Sequence, residues 1–216
     1  MNPNRDSETC ADSLNELLTS AGLPALDSET TVKFDEYLAL ILRWNVRMNL
    51  TAVRDPHGVL SRHFLESIAC ARQLPAGIAS LLDFGSGAGF PGIPIALCRP
   101  EITVTLAESQ TKKAAFLHEV VRTLKLNSRV FADRAERLAQ EFDCVTLRAV
   151  DRMEQAVATG SNLVKTEGCL AVMTTLAELP RVQKAAGDGL RWSEPFPLPG
   201  SEQQVLALAS KSAATA

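Results

Sequence analysis

Ser80-Leu81-Leu82-Asp83-Phe84-Gly85-Ser86-Gly87-Ala88-Gly89-Phe90-Pro91-Gly92-Ile93-Pro94 is the stretch that decides the fold of this chain. Its first residues read as a short strand, and a glycine-rich turn follows. A helix then starts near the prolines, where a missing N–H costs nothing. Such a turn is a nucleotide-site signature. Glycines let backbone approach a ligand, and a helix N-terminus offers unpaired N–H groups. A phosphate-binding P-loop would need Gly-Lys-Ser/Thr after the turn, and Phe90-Pro91-Gly92 stands there instead. A dinucleotide turn, G-x-G-x-x-G, needs its third glycine at the position of Phe90. The observed spacing is Asp83-x-Gly85-x-Gly87-x-Gly89, an acid followed by three alternate glycines.

Downstream of the turn, strands and helices alternate. We expect a helix at 92–98, a strand at 102–107, a helix at 110–125 and a strand near 129–132. A short helix at 134–140, a strand at 143–147, a helix at about 151–163 and a strand at 168–173 follow. Residues 192–199 are proline-rich, and 204–209 read as a last, antiparallel strand. Alternation of this kind predicts a mostly parallel sheet covered on both faces. Upstream, residues 8–75 read as helices. Phe34, Tyr37, Leu38, Ile41, Leu42 and Trp44 form one apolar stripe at three- and four-residue spacing, and Asp55-Pro56-His57-Gly58 is a turn. The expected division is a helical lobe at 1–75, an α/β core at 76–210 and a disordered tail at 211–216.

Composition narrows the class. Of 216 residues, 46% are hydrophobic and 22% charged, which is globular and excludes wholesale disorder. No apolar run reaches the roughly 20 residues of a membrane span, and the polar, acidic start is no secretory signal. Cys10, Cys70, Cys98, Cys144 and Cys169 stand far apart without a Cys-x-x-Cys, which suggests reduced thiols and a cytoplasmic protein. The net charge is only −3, but it is unevenly spread. Residues 1–40 carry two basic and eight acidic side chains, whereas 110–137 carry seven basic and three acidic. Between residues 43 and 63, Arg43, Arg47, Arg54 and Arg62 face Asp55 alone. An acidic average is compatible with a basic face, and phosphates respond to the face.

The acid-and-alternate-glycine turn resembles the first motif of class I S-adenosylmethionine-dependent methyltransferases. That cofactor has a cationic sulfonium, an amino-acid end and no phosphate. The turn must therefore offer close approach, and Asp83 can organise the loop or meet the ammonium group. Glu108 ends the second strand, 23 positions after Gly85, where a carboxylate can take two hydrogen bonds from ribose hydroxyls. Ala135-Glu136 follows the third strand, where such folds line the adenine pocket. Arg148 follows the fourth strand, and ligands of open α/β sheets bind outside the carboxyl ends of the strands.

Longer phrases are more specific. Arg43-Trp44-Asn45, Asn49-Leu50-Thr51-x-Val53-Arg54-Asp55-Pro56, Arg62-His63-Phe64-x-Glu66-Ser67 and the glycine turn with its Phe90-Pro91-Gly92-Ile93-Pro94 extension occur in order. With Lys125-Leu126 and Arg148-Ala149, they closely resemble the RsmG (GidB) family over roughly residues 30–150. The resemblance implies a class I, Rossmann-like, mostly parallel seven-stranded sheet with an N-terminal helical lobe. It implies methylation of N7 of guanosine 527, in the 530 loop of bacterial 16S ribosomal RNA, by S-adenosyl-L-methionine. The cofactor-site residues implied are Asp83, Gly85, Gly87, Gly89, Phe90, Glu108, Ala135, Glu136 and Arg148. One departure lies at the end of the fifth strand: many members carry Lys-Gly there, and this chain has Met173-Thr174-Thr175.

The implied chemistry needs no catalytic side chain. Guanine N7 has a free lone pair in the base plane, so positioning alone can carry the transfer, with no general base and no metal. Candidate RNA contacts are Arg47, Arg54, Arg62, His63, Lys112 and Lys113. Trp44 and Phe64 lie on apolar stripes and read as core. The expected partner is 16S ribosomal RNA or the small ribosomal subunit, with no membrane, and the expected state is a monomer. Two alternatives remain: a nicotinamide-dependent oxidoreductase, against which Phe90 counts, and a non-catalytic RNA-binding protein with a degenerate cofactor pocket.

Overall fold

The computed structural model describes residues 10–212. Helices α1 (Cys10–Ser20) and α2 (Ser28–Asn45) come first. Asp27 caps α2, its carboxylate accepting from the Thr30 N–H at 2.8 Å. Next comes a continuous helical rod: α3 (Pro56–Gly58), a wider π-helical segment (Val59–Phe64) and α4 (Leu65–Gln73). The expected turn at 55–58 is the start of this rod. Asp55 caps it through the Gly58 N–H at 2.7 Å, and Pro56 occupies the first turn, where no N–H is needed.

The α/β part follows as β1 (Ser80–Phe84), α5 (Gly92–Cys98), β2 (Thr103–Ala107), α6 (Thr111–Thr123), β3 (Ser128–Phe131), a single 3₁₀ turn (Ala135–Arg137) and β4 (Phe142–Arg148). It ends with α7 (Met153–Asn162), β5 (Val164–Thr175), α8 (Leu179–Ala186), β6 (Leu190–Trp192), β7 (Phe196–Pro197) and β8 (Gln204–Lys211). The sheet runs β3-β2-β1-β4-β5-β8-β6, seven strands on one path, with the two-residue β7 added beside β8 as an eighth. Strands β1 to β5 are parallel, and β8 is antiparallel to β5, β6 and β7. The short helix expected at 134–140 is only the 3₁₀ turn. Strand β8 continues through Lys211, whose ammonium donates to the Val164 carbonyl at 2.6 Å; residues 213–216 lie outside the described part.

Alternation along the strands divides the core into two layers. Leu81, Val104, Leu106, Cys144, Ala171 and Met173 face the side that carries α5, α6 and the N-terminal helices. Leu82, Phe84, Val145, Leu147, Leu170 and Val172 face α7 and α8. The N-terminal helices share the first layer's core: Leu14, Leu18, Phe34, Tyr37, Ile41, Phe64 and Ile68 are buried in the same cluster as the strand residues. The chain order reverses direction between β1 and β4. The carboxyl ends of those strands therefore diverge into a crevice, the usual ligand position in an open α/β sheet.

Candidate active site

A cleft of about 690 Å³ opens at these carboxyl ends. Gly85, Ser86, Gly87, Ala88 and Phe90 form one wall, Glu108 and Gln110 follow β2, and Ala135 and Glu136 follow β3. Arg148 ends β4 and 149–152 follow it, and Thr51, Arg62 and His63 close the cleft from the helical side.

The glycine turn is held from beneath. Asp83 is buried; its Oδ1 accepts from the Thr146 hydroxyl at 3.0 Å and its Oδ2 from the Gly92 N–H at 3.2 Å. Burial pushes its carboxyl up to about 6, against the pull of these hydrogen bonds. Asp83 does not line the cleft, so of its two expected roles the geometry supports organising the loop, because both oxygens are directed into the protein. Gly89 is displaced from the expected set in the same way. Its φ is +95°, and a Cβ there would lie 2.6 Å from Ile93 Cγ1 and 2.7 Å from the Tyr37 hydroxyl. It serves packing under the loop, where Tyr37 donates to the Ala88 carbonyl at 2.6 Å. Gly87 is different. With φ +56°, a Cβ there would meet nothing nearer than the Gly85 carbonyl at 3.9 Å. The space beside its backbone is open cleft, a cradle that any side chain would fill.

Glu108 is buried at the cleft edge. Its Oε2 accepts from the Gly87 N–H at 2.9 Å and its Oε1 from the Gln110 N–H at 2.7 Å. One carboxylate thus fixes the glycine turn relative to the end of β2. Each oxygen keeps a second lone pair for a ligand hydroxyl. Ala135 is buried and Glu136 exposed, both on the 3₁₀ turn.

Arg148 faces the cleft but also joins the two parts of the protein. Its guanidinium donates to Ser67 Oγ at 3.3 Å, to the Arg62 carbonyl at 2.8 Å and to the Glu66 carboxylate in a short ion pair. Burial lowers its pKa, with Glu66 opposing that shift. Among the described residues, Nε and the second Nη1 hydrogen have no acceptor, which leaves them as donors for a ligand.

The expected RNA contacts divide. Arg62, His63 and Lys113 line the cleft, whereas Arg47, Arg54 and Lys112 are exposed outside it. Arg54 lies 3.3 Å from Asn49 Oδ1 and braces its own loop. His63 is no cation. Burial, with Arg148 and Arg62 nearby, lowers its pKa to about 3, and it stacks on Phe90 at 4.6 Å. Two further cations, Arg134 and Arg152, line the cleft and are not among the expected contacts. Trp44 is half-buried, its indole N–H on Glu119 at 2.9 Å, and Phe64 is fully buried. Met173 and Thr174 are buried in β5 and, like Thr175, lie away from the cleft.

The strand order, the glycine turn after β1 and the carboxylate after β2 define a class I methyltransferase fold. A methyltransferase from Pyrococcus furiosus superposes with a TM-score of 0.61 at 12% identity, covering 83% of this chain and all of that one. The family is settled by sequence. Residues 30–185 match the GidB model, rRNA small subunit methyltransferase G, and the chain belongs to that family. It is 44% identical over 152 residues to ribosomal RNA small subunit methyltransferase G of Xanthomonas axonopodis pv. citri, covering 69% of this chain and 71% of that protein. It is 41% identical to the protein of that name from Stenotrophomonas maltophilia, covering 88% and 89%.

Proposed function

We propose that this chain methylates N7 of guanosine 527 in 16S ribosomal RNA, using S-adenosylmethionine bound in the cleft. Family membership supports the ribosomal RNA substrate. The observation that carries the cofactor assignment is the pairing of open space at Gly87 with a carboxylate fixed at the end of β2. Gly85, Gly87, Phe90, Glu108, Ala135, Glu136 and Arg148 would hold the cofactor, with Asp83 and Gly89 supporting the loop from behind. When bound, the cofactor supplies an electrophilic methyl on a cationic sulfur.

The remaining work is positioning. Glu108 would accept from the ribose hydroxyls while its backbone bonds keep the turn in place. Arg148 would offer its free N–H groups to the cofactor's carboxylate. Arg62, Lys113, Arg134 and Arg152 would hold RNA phosphates at the rim. Guanine N7 needs no deprotonation before attack, so no residue is required to move a proton. Aligned reactants alone can contribute roughly 7–11 kcal/mol. The reading places the protein in the cytoplasm, where its substrate is made.

Calorimetric titration tests the cofactor assignment. S-adenosylmethionine should bind and NADH should not. Glu108→Ala should weaken cofactor binding about 10- to 100-fold, the value of one or two hydrogen bonds to a charged group. Binding of NADH instead would return the chain to the oxidoreductase reading.

A further inference from the structure

We infer that His63 is the platform on which the target guanine stacks, its free ring face forming the border between the cofactor turn and the RNA rim. The inference rests on the guanine-N7 reading and deepens it. One ring face and one ring nitrogen are already engaged within the protein. One face lies on Phe90, with centroids 4.6 Å apart and planes 23° from parallel. Nε2 is hydrogen-bonded to the Thr51 hydroxyl at 2.8 Å. Nδ1 is buried and has no hydrogen-bond partner among the described residues. Yet His63 is only partly buried and lines the cleft. The face opposite Phe90 is the one we assign to the ligand.

The position suits the reacting base better than the adenine of the cofactor. Glu108, Ala135 and Glu136 lie on the β2 and β3 side of the cleft, whereas His63 adjoins Arg148 at the end of β4. Phe90 belongs to the glycine turn, and Arg62, the preceding residue, lines the rim. A base stacked on His63 therefore has the methyl donor's turn on one side and a phosphate-binding cation on the other.

The chemistry requires a ring without charge. In the transfer, the electron pair of the new N–CH3 bond comes from N7, and the pair of the broken bond stays with sulfur. The positive charge passes to the purine. A cationic imidazole would repel that product, whereas a neutral aromatic face attracts it. The charged groups near His63 are Arg62 on its own helix and Arg148 from β4, the latter paired with Glu66 of α4. Burial, with the two arginines, holds the imidazole at about 3, so it is neutral throughout the physiological range.

The test uses the full chain and three variants: His63→Ala, His63→Phe and Thr51→Val. Readouts are melting temperature, affinity for S-adenosylmethionine, methyl transfer to a 530-loop RNA hairpin, and affinity of 7-methylguanosine monophosphate for the complex with S-adenosylhomocysteine. Loss of one aromatic–base stack should weaken 7-methylguanosine monophosphate binding and raise the RNA KM of His63→Ala by roughly 5- to 100-fold, with cofactor affinity unchanged. His63→Phe, which keeps the ring, should stay within about threefold of the parent, and so should Thr51→Val. The inference is overturned if folded His63→Phe is as impaired as His63→Ala. It is also overturned if His63→Ala binds 7-methylguanosine monophosphate like the parent, or if Thr51→Val reproduces the whole loss and so assigns His63 to bracing the loop. A parent protein that does not methylate the hairpin would count against the guanine-N7 reading, while the nucleotide-binding arm still decides the platform.

Discussion

The two walls of the cleft are built on different principles. The wall from β1 and β2 is made of backbone. Its shape is set by glycines and by two carboxylates, Asp83 and Glu108, whose oxygens are bonded to neighbouring N–H and hydroxyl groups. The wall from the helical side and the β4 loop is made of side chains: Arg62, His63, Arg148 and Arg152. A backbone wall tolerates almost no substitution but binds a small ligand at close range. A side-chain wall can be altered one contact at a time, as suits an extended polyanion. The walls are joined through the Tyr37 hydroxyl on the Ala88 carbonyl and through Arg148 on Glu66, with the Phe34, Tyr37, Phe64 and Phe90 cluster between them.

The most damaging change should be Gly92→Val, in the backbone wall. A Cβ at Gly92 would lie 2.5 Å from Leu106 Cδ2 and 2.6 Å from Asp83 Oδ2. Overpacking of that kind costs about 3 kcal/mol, which lowers Tm by roughly 6–12 °C in a chain of this size. Gly87→Val sharpens the contrast within the same turn. Its side chain enters open space, so thermal melting should show only the cost of the left-handed backbone, about 1–2 kcal/mol. Cofactor affinity should nevertheless fall at least tenfold by calorimetry. If Gly87→Val binds the cofactor normally, the cradle lies elsewhere.

The side-chain wall should respond to salt. Replacing Arg62, Lys113 and Arg152 together by Ala should flatten the log–log salt dependence of RNA binding by about 2, at roughly 0.7 per lost phosphate contact on single strands. Cofactor affinity should be unchanged. The outer set, Arg47, Arg54 and Lys112, serves as the comparison; an equal flattening there would extend the RNA track beyond the cleft rim.

The smallest effect concerns acid stability. His63 is held at about 3 in the fold, against 6.5 for the free side chain. Below pH 6.5 the unfolded chain binds a proton that the folded chain refuses. The neutral ring's stabilisation is therefore complete above 6.5 and is lost as the pH falls toward 3. Urea midpoints at pH 7.5 and 4.5 should show the parent losing more stability than His63→Phe. Equal losses would mean that the ring is free to titrate.

Much of this contrast was legible in the sequence, and unequally. The strands could be read because each is a short apolar run closed by a turn, and Glu108 could be placed because β2 ends beside β1. β6 and β7 escaped notice because three and two residues, one of them proline, carry no periodicity. The inward aim of Asp83 depends on Thr146, sixty-three residues away, and the ion pair of Arg148 depends on Glu66, eighty-two residues away. No local pattern encodes either pairing. Arg134 and Arg152 were missed for the opposite reason: charged residues beside short helices look alike whether they face solvent or a cleft. The neutral state of His63 arises from burial, from Arg148 and from its neighbour Arg62, and spacing reveals neither the burial nor the approach of Arg148.

The most direct measurement is to map 7-methylguanosine. Purified protein, S-adenosylmethionine and 16S RNA or small subunits from a strain lacking this modification are incubated together. The RNA is then cleaved chemically at N7-methylated guanosines and read by primer extension. The account predicts one new stop, at guanosine 527, absent with Gly87→Val. Methylation at another position or another atom, or none with folded, cofactor-bound protein, would contradict it.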